Sequence, residues 1–376
     1  MLYNPSPNFN SHMKIKEIIA HLESIAPLSF QEPYDNSGLL IGNPENEVNS
    51  ALLTLDVTPE VLNEAKDKNT GLIISHHPLI FQGLKKLTGS TVIEKTVVRS
   101  IKEDIAIYAS HTNMDSALQG VNSRICEKLE LQNVSILRPI KGQLCKLVTF
   151  VPEKYLDVVR QEIFEAGAGT IGNYDQCSFN TEGIGSFRGG ENTNPFLGER
   201  GELHFETEIR IETIFPKYLK NRVIEALIKS HPYEEVAYDI YPLENEYKQA
   251  GMGMTGELKK DWDEKLLLDY IKKRLNVKII RHTHWINRPI RKVAVCGGAG
   301  SFLLHDAVHH KTDIFISGDF KYHEFFKAEG KLLIADIGHY ESEHHVKEIF
   351  SDLLKEKFPN FAVQISEVNT NPVNFY

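Results

Sequence analysis

The 376-residue sequence has few cysteines, no long apolar run and no excess of basic residues. Its four cysteines show no CxxC spacing, which excludes a zinc knuckle and is typical of reduced, mostly buried thiols. No apolar run is long enough to span a membrane and no secretory leader is evident, so we expect a cytoplasmic protein. The formal net charge of −9 argues against a surface that coats nucleic acid or binds an anionic membrane, although a local basic patch remains compatible with it.

What the sequence does contain is typical of a globular protein with more than one domain. Apolar residues make up 41% and charged residues 25% of the chain, and its length allows two or three cores. Residues 1–12 are polar and rich in Asn, Ser and Pro, so we predict an unstructured extension there. The first apolar residues at helical spacing follow from Lys14.

Strand and helix patterns alternate in two separate stretches, one from Ala51 to Leu129 and one from Lys292 to the C-terminus. Such alternation predicts parallel sheets covered on both faces by helices. In each stretch one strand leads into the spacing His-x-x-x-acid. The sequence therefore predicts an α/β protein with duplicated half-domains that form a three-layer core.

The segment between these stretches has a different order: strand, helix, strand, strand, helix, strand. This order predicts an inserted ferredoxin-like α+β domain over residues 142–250. The core halves then cover residues 13–141 and 251–376. We expect Gly251–Gly256, which holds three glycines, to be a flexible return into the core.

Two adjacent histidines end one of the predicted strands. The apolar run Leu72–Ile74 leads into Ser75, His76 and His77, and Pro78 then stops the sheet ladder. Neighbouring residues on an extended backbone point to opposite sides, so two metal ions, one for each ring, fit this pair better than one. The alternative is a polar strand end with two surface histidines.

Further metal-ligand residue types follow other predicted strands. Asp115 with His111 follows one strand, and His339 with Glu343 follows another. The carboxyl ends of parallel strands are where open α/β sheets bind ligands, and residues four apart on a helix share a face. A mixed set of imidazoles and carboxylates suits Zn, Mn, Fe or Co better than Ca²⁺, and a bridging carboxylate is typical of two-metal hydrolytic sites. A solvated His–Glu pair is the alternative for His339.

Two further patterns contain residue types that could carry chemistry. The glycine-rich turn Gly297–Ser301, between a strand and a helix, fits either a phosphate site or tight packing. Ser110, His111 and Asp115 have the residue types of a serine hydrolase but lack a nucleophile-elbow context. The sequence thus favours metal chemistry over a serine nucleophile.

Several motifs together resemble one protein family. They are Tyr34–Leu39, Ser75–Phe81, Ser110–Asp115, Cys296–Ser301, Ser317–Asp319 and Gly338–Glu343. The family is that of the GTP cyclohydrolase 1 type 2 homologs, the NGG-one-interacting-factor-three-like proteins, and the resemblance covers nearly all of residues 13–376. The middle segment resembles the PII/CutA-like insert of the longer bacterial members.

The resemblance implies a dinuclear metal site and a defined assembly. The implied ligands are His76, His77, Asp115, His339 and Glu343. The implied assembly is a toroidal homohexamer, a trimer of dimers whose sites face an internal cavity.

Two functional hypotheses follow from these residues. The first is a metal-dependent hydrolase with two divalent ions per chain, zinc being favoured over Fe, Mn, Co or Mg. A metal-activated water would attack a nucleotide-like or other small phosphorylated or heterocyclic substrate, and His111 or His323 would move protons. The second is a metal-binding scaffold or regulatory protein whose insert senses a ligand or a partner. A structural site is usually closed, whereas a catalytic site keeps a position for water.

Overall fold

The computed structural model describes residues 12–376, so the extension predicted over residues 1–12 lies, apart from His12, outside the described residues. Two compact units are present. The core unit comprises the described residues up to Pro139 and those from Lys248 onward, and the insert unit is Ile140–Tyr247. Within the described range no helix is both long and apolar enough to cross a membrane. All four cysteines are free and three of them are buried, as predicted.

The chain forms its helices and strands in three successive groups. The first part of the core unit contains β1 (Met13–Lys14), α1 (Ile15–Ile25), β2 (Gly38–Ile41), β3 (Glu47–Val48), β4 (Ser50–Thr54), α2 (Pro59–Asp67), β5 (Leu72–Ser75), α3 (Val92–Lys102), β6 (Ala106–Ala109), α4 (Thr112–Ser116), α5 (Val121–Lys128) and β7 (Gln132–Ile140). The insert contains β8 (Leu144–Pro152), α6 (Leu156–Glu165), β9 (Phe179–Arg188), β10 (Leu203–Pro216), α7 (Lys220–Ser230) and β11 (Tyr238–Leu243). The second part of the core unit contains β12 (Tyr247–Trp262), α8 (Glu264–Leu275), β13 (Arg281–His282), β14 (Ile290–Ala299), α9 (Leu304–His309), β15 (Ile314–Gly318), α10 (Tyr322–Phe325), β16 (Leu333–Asp336), α11 (His339–Glu343), α12 (Val346–Lys357) and β17 (Ala362–Ile365).

Local sequence explains where several helices begin. The hydroxyls of Thr58 and Thr91 accept hydrogen bonds from backbone N–H groups in the first turns of α2 and α3. Pro59 occupies the first turn of α2, where its missing N–H has no cost. Asp263 caps α8 in the same way, and Asn276 ends that helix in the left-handed conformation.

The core unit contains two large sheets. One has the strand order β17–β4–β5–β6–β2 and the other β13–β16–β15–β14–β12–β7. Strands β4, β5 and β6 are parallel neighbours in the first sheet, and β14, β15 and β16 are parallel neighbours in the second. The chain is therefore a mixed α/β protein with several sheets, and the predicted α/β class is confirmed.

Helices cover both faces of each sheet. One hydrophobic core contains Leu53 and Val295, from the two sheets, together with residues of α1, α5, α8 and α12. A second core joins α2 and α3 to the other face of the first sheet, and a third joins α9 to the other face of the second sheet. Because both faces are buried, the strand ends are the places where polar side chains can gather.

The flexible return predicted at Gly251–Gly256 is wrong. These residues are the buried middle of the long strand β12, which lies between β14 and β7. The glycines serve close packing, because a Cβ on Gly251 would lie 2.1 Å from the Arg138 carbonyl oxygen. A Cβ on Gly253 would lie 2.9 Å from the Val295 carbonyl oxygen. Glycine marks a close backbone approach here rather than a turn.

The insert unit has its own sheet and its own core. Its four antiparallel strands have the order β11–β8–β10–β9. Helices α6 and α7 pack on one face through Val159, Ile163, Val223 and Leu227. The other face of this sheet is not covered by those helices.

Candidate metal centre

The five predicted ligand side chains lie together in the core unit, at the carboxyl ends of strands from both sheets. His76 and His77 directly follow β5, and Asp115 lies in α4, which follows β6. His339 and Glu343 are the first and last residues of α11, which follows β16. The chain thus brings to one place residues that are more than 260 positions apart, such as His77 and Glu343.

Two groups of potential ligands share the Glu343 carboxylate. The Nε2 atoms of His77 and His339 each lie 2.9 Å from Glu343 Oε2. The Nε2 atom of His76 lies 3.5 Å from Asp115 Oδ1 and 3.8 Å from Glu343 Oε1. The two carboxylate oxygens of Glu343 therefore face different groups, one with two histidines and one with a histidine and an aspartate.

The donor set fits a bound cation. His76 Nε2 and Asp115 Oδ1 are buried without any hydrogen-bond partner among the described residues. The ring of His76 is held through Nδ1, which donates to the Ser110 carbonyl oxygen at 2.9 Å and leaves the Nε2 lone pair directed at the site. The Nε2 atoms of His77 and His339 are 3.3 Å apart. Converging acceptors of this kind repel one another unless a proton or a metal ion lies among them.

Carboxylates outside the two groups orient two of the rings. His77 Nδ1 donates to Asp56 Oδ1 at 2.7 Å, and His339 Nδ1 donates to Asp319 Oδ2 at 2.8 Å. A carboxylate behind a histidine fixes its tautomer and raises the basicity of the nitrogen that faces the metal. This arrangement is typical of metal-binding histidines.

His111 lies against the two groups, and its ring is held by Asp35. Its ring centroid is 5.2 Å from that of His76 and 5.3 Å from that of His77. Its Nδ1 atom lies 2.8 Å from Asp35 Oδ1. Asp35 also accepts the backbone N–H of Thr112, and the pKa of Asp35 is lowered because these hydrogen bonds outweigh its burial. His111 also forms a third group of potential ligands with His76 and His77, whose ligand atoms lie within 4.8 Å of one another.

The electrostatics of the site favour positive charge. Burial raises the pKa of Asp115, and the neighbouring Glu343 charge raises it further. Burial also opposes ionisation of Glu343, but hydrogen bonds from His339 and His77, with the nearby His76 ring, outweigh it and lower the pKa of Glu343. The pKa of His77 rises to about 10 and that of His339 to about 9, because their carboxylate partners outweigh burial. Burial lowers the pKa of His76 to about 4.

The glycine-rich turn packs against the site. A Cβ on Gly298, whose φ is +61°, would lie 2.2 Å from Glu343 Oε1. Backbone N–H groups of Gly297, Gly298 and Gly300 already donate to side-chain oxygens of the protein, namely those of Asn122, Ser342 and Ser317. Of the two interpretations of this turn, tight packing against the carboxylate is therefore the one that the contacts favour.

His323 does not join the other candidates. It is exposed in α10, and its ring contacts are with Tyr322 at 5.1 Å and Phe326 at 6.4 Å. Among the described contacts none links it to the two ligand groups. A proton-transfer role for His323 in this site has no geometric support.

Sequence reasoning missed the three aspartates that hold histidine rings. Asp56 and Asp319 follow β4 and β15 closely, so the strand-end argument used for the histidines also points to them. Asp35 lies in the Tyr34–Leu39 motif and has no spacing relation to His111. Only tertiary contact reveals that pair.

Comparisons with known proteins agree over nearly the whole chain. The family model described as Duf34/NIF3 (NGG1p interacting factor 3) matches residues 13–372. A Bacillus subtilis protein named GTP cyclohydrolase 1 type 2 homolog is 38% identical over 96% of this chain and 98% of its own length. A protein of the same name from Halalkalibacterium halodurans is 40% identical over 95% of this chain and 98% of its own.

Solved structures show the same relationship. A Bacillus cereus protein related to NIF3 superposes with a TM-score of 0.84 at 38% identity, covering 97% of this chain and 99% of that one. A Staphylococcus aureus protein superposes with a TM-score of 0.76 at 30% identity, with the same coverage of each chain. The chain belongs to the DUF34/NIF3 family.

Proposed function

We propose that this protein is a metal-dependent hydrolase with a dinuclear site. The observation that carries the proposal is that two ligand groups share one buried carboxylate, Glu343. His77 and His339 would hold one ion with one Glu343 oxygen, and His76 and Asp115 would hold the other with the second oxygen. A shared carboxylate between two ions is the arrangement of many two-metal hydrolytic sites.

Residues around such ions would orient the metal ligands and transfer protons. Divalent ions held by these residues would supply Lewis acidity that polarises a substrate oxygen and lowers the pKa of bound water. Asp56 and Asp319 keep the rings of His77 and His339 in the ligating tautomer. His111, fixed by Asp35, would accept or return a proton through its free Nε2 atom.

The proposed substrate is a nucleotide-like or other small phosphorylated or heterocyclic compound. Support comes from the name GTP cyclohydrolase 1 type 2 homolog that the curated relatives carry, and from the polar nature of the site. Zinc is our first choice of metal because imidazole and carboxylate ligands suit it, and Fe, Mn, Co and Mg are the alternatives.

The experiment compares chelator-treated protein with protein reloaded with each of these metals, using GTP first and then a panel of nucleotides. We expect product only with metal, and loss of product in the Glu343→Gln variant. If no metal form turns over any nucleotide or small phosphoester, the hydrolase proposal is wrong and the scaffold alternative gains support.

We also propose that the chain consists of two duplicated α/β half-domains with an inserted domain. The halves would be residues 13–141 and 251–376, and residues 142–250 would be a ferredoxin-like domain of the PII/CutA type. Three consecutive parallel strands in each core sheet support the duplication. The order β11–β8–β10–β9 in the insert supports the ferredoxin-like assignment.

The insert should be removable. Strands β7 and β12, on either side of it, are neighbours in the core sheet, and Gly251 lies against Arg138 and Pro139. Joining Pro139 to Lys248 through an Asn-Gly turn would close a β-hairpin. We expect a soluble protein that keeps its metal content, checked by elemental analysis and circular dichroism.

The junction must spare the buried part of β12. Ala250 and Met252 belong to the core unit and are buried, so a join made at Gly253 would remove packing that the sheet needs. That longer deletion is the matched comparison. Aggregation of the shorter deletion as well would mean that the insert is needed for the core to fold.

We propose a homohexamer as the assembly. Support comes from apolar side chains at the start of α3 and in the segment before it: Leu87, Val92 and Ile93 are 50%, 61% and 43% exposed. Exposed apolar residues that cluster in this way are typical of protein–protein interfaces. Light scattering coupled to size exclusion should give the mass of six chains, and Val92→Glu should lower it. A monomer for the unmodified protein would contradict the proposal.

A further inference from the structure

A cavity of about 520 Å³ lies within the insert unit, well inside the size range of small-molecule sites. Ile211 and Phe215 of β10 pack into the core with α6 and α7. Glu208 and Arg210 alternate with them and line the cavity, so it lies on the opposite face of the sheet. Nothing in the proposed metal chemistry uses this space.

Two glycines of β9 create room for the cavity. Gly183 is directly opposite Glu208 in the β9–β10 pairing, and a Cβ there would meet no atom within 4 Å. A Cβ on Gly185 would lie 2.1 Å from Glu208 Oε2, so the carboxylate lies over that glycine. Because these two glycines have no side chain, there is open space on this face of the sheet, and the Glu208 carboxylate lies in that space.

Aromatic rings form the walls. The Tyr233 ring centroid lies 6.0 Å from that of Phe187 and 6.3 Å from that of Phe196, which comes from the loop between β9 and β10. His231 fixes the backbone of Tyr233, because its Nδ1 accepts from the Tyr233 N–H at 3.1 Å. Its Nε2 donates to the Phe150 carbonyl oxygen at 2.9 Å. These rings form a pre-organised apolar enclosure.

Within the described part of the chain, the buried acidic side chain in the cavity has no basic side chain as an ion-pair partner. Glu208 is only 9% exposed, and no Lys, Arg or His among the described residues forms an ion pair with it. Arg210, the nearest basic residue along the strand, pairs instead with Glu212 at 2.8 Å. The Tyr233 hydroxyl is buried beside the Glu208 carboxylate, and burial together with its interaction with that carboxylate raises the pKa of Tyr233. A buried carboxylate without a countercharge is costly.

The cavity lining as a whole has a net negative charge. The lining contains four glutamates and two arginines, namely Glu182, Glu208, Glu234 and Glu235, and Arg188 and Arg210. Aromatic faces attract cations, and a carboxylate beside them forms a strong charge-assisted hydrogen bond with an ammonium group.

We propose that this cavity binds a small organic ammonium ion that carries an aromatic or comparable planar apolar group. The ammonium donates to the Glu208 carboxylate and to the Tyr233 hydroxyl oxygen. The apolar body lies between Phe187 and Phe196. The insert is thereby a binding module for an amine, and the proposal does not depend on the reaction at the metal centre.

Calorimetry on the full-length protein tests the proposal with three probes of one shape and different charge. They are 2-phenylethylammonium, neutral 2-phenylethanol and anionic 3-phenylpropionate. We expect the ammonium to bind about 10-fold or more tightly than the alcohol, and the anion not to bind, because of the charge-assisted bond. Glu208→Gln should remove the preference for the ammonium while retaining binding of the alcohol, which also shows that the variant is folded.

Two more variants complete the test. Glu162→Gln makes the same change of charge on α6, outside the cavity lining, and should keep the preference. Gly183→Val places a side chain in the open space, where its Cβ meets no atom within 4 Å, and should abolish binding of the ammonium and the alcohol. Absence of saturable ammonium binding to the unmodified protein, or a preference that survives in Glu208→Gln, overturns the proposal.

Discussion

Replacing Glu343 with glutamine is expected to remove both metal ions from the protein. The glutamine keeps the size of the side chain and therefore its fit against Gly298, but it has one acceptor oxygen where the carboxylate has two. Both groups lose their shared anionic ligand at once. We expect the affinity for each ion to fall by roughly 100-fold or more, a larger loss than is typical when a residue that only orients a metal ligand is replaced. Elemental analysis after dialysis measures the loss.

Glu341→Gln is the matched control for this substitution. Glu341 lies on the same helix, belongs to neither ligand group and accepts a hydrogen bond from Asn371 at 3.1 Å. It should keep its metal. If Glu343→Gln instead loses one ion and holds the other with unchanged affinity, Glu343 is a ligand of one ion and not a bridge.

Replacing His111 with asparagine is expected to abolish most turnover while leaving the metal content unchanged. The asparagine amide can still donate to Asp35 in place of His111 Nδ1, so the local hydrogen bond is preserved. What is lost is the Nε2 atom that faces the site. Loss of a positioned proton-transfer group should lower kcat by roughly 100-fold or more. The assay is the metal-dependent nucleotide turnover, measured alongside elemental analysis.

Two comparisons decide how His111 acts. Asp35→Asn should lower turnover less than His111→Asn and change its pH profile, since the ring stays but loses its anionic partner. His309→Asn, an exposed histidine on α9, should change nothing. Loss of one metal ion in His111→Asn would make His111 a direct ligand, as its closeness to His76 and His77 allows.

The sequence was informative about the site because the ligand types occur at strand ends. Parallel strands in one sheet end at one edge, so a histidine after β5 and one after β16 could be expected to meet once both halves pack together. The aspartates behind the rings were not foreseen, because a hydrogen bond such as that between His111 and Asp35 spans 76 positions. The local periodicity of the sequence does not indicate such a contact.

The secondary structure was predictable where the hydrophobic periodicity of the sequence is strong. The prediction failed where close packing in the folded protein determines the residue types. The apolar run Leu72–Ile74 lies in strand β5, as predicted, and the alternating stretch from Ala51 to Leu129 ends with helix α5. Strand β12 was missed because its glycines have the composition of a loop. They are required by close contacts, such as that of Gly253 with the Val295 carbonyl oxygen, that exist only in the folded protein.

The number of metal ions bound per chain decides whether the site is dinuclear. Chelator-treated protein should be titrated with zinc in the presence of a competing chromophoric chelator, and then crystallised for anomalous diffraction. We expect saturation at two ions per chain, with anomalous peaks on either side of the Glu343 carboxylate, one beside His77 and His339 and one beside His76 and Asp115. Saturation at one ion, or a second peak away from Glu343, would contradict the proposed dinuclear site.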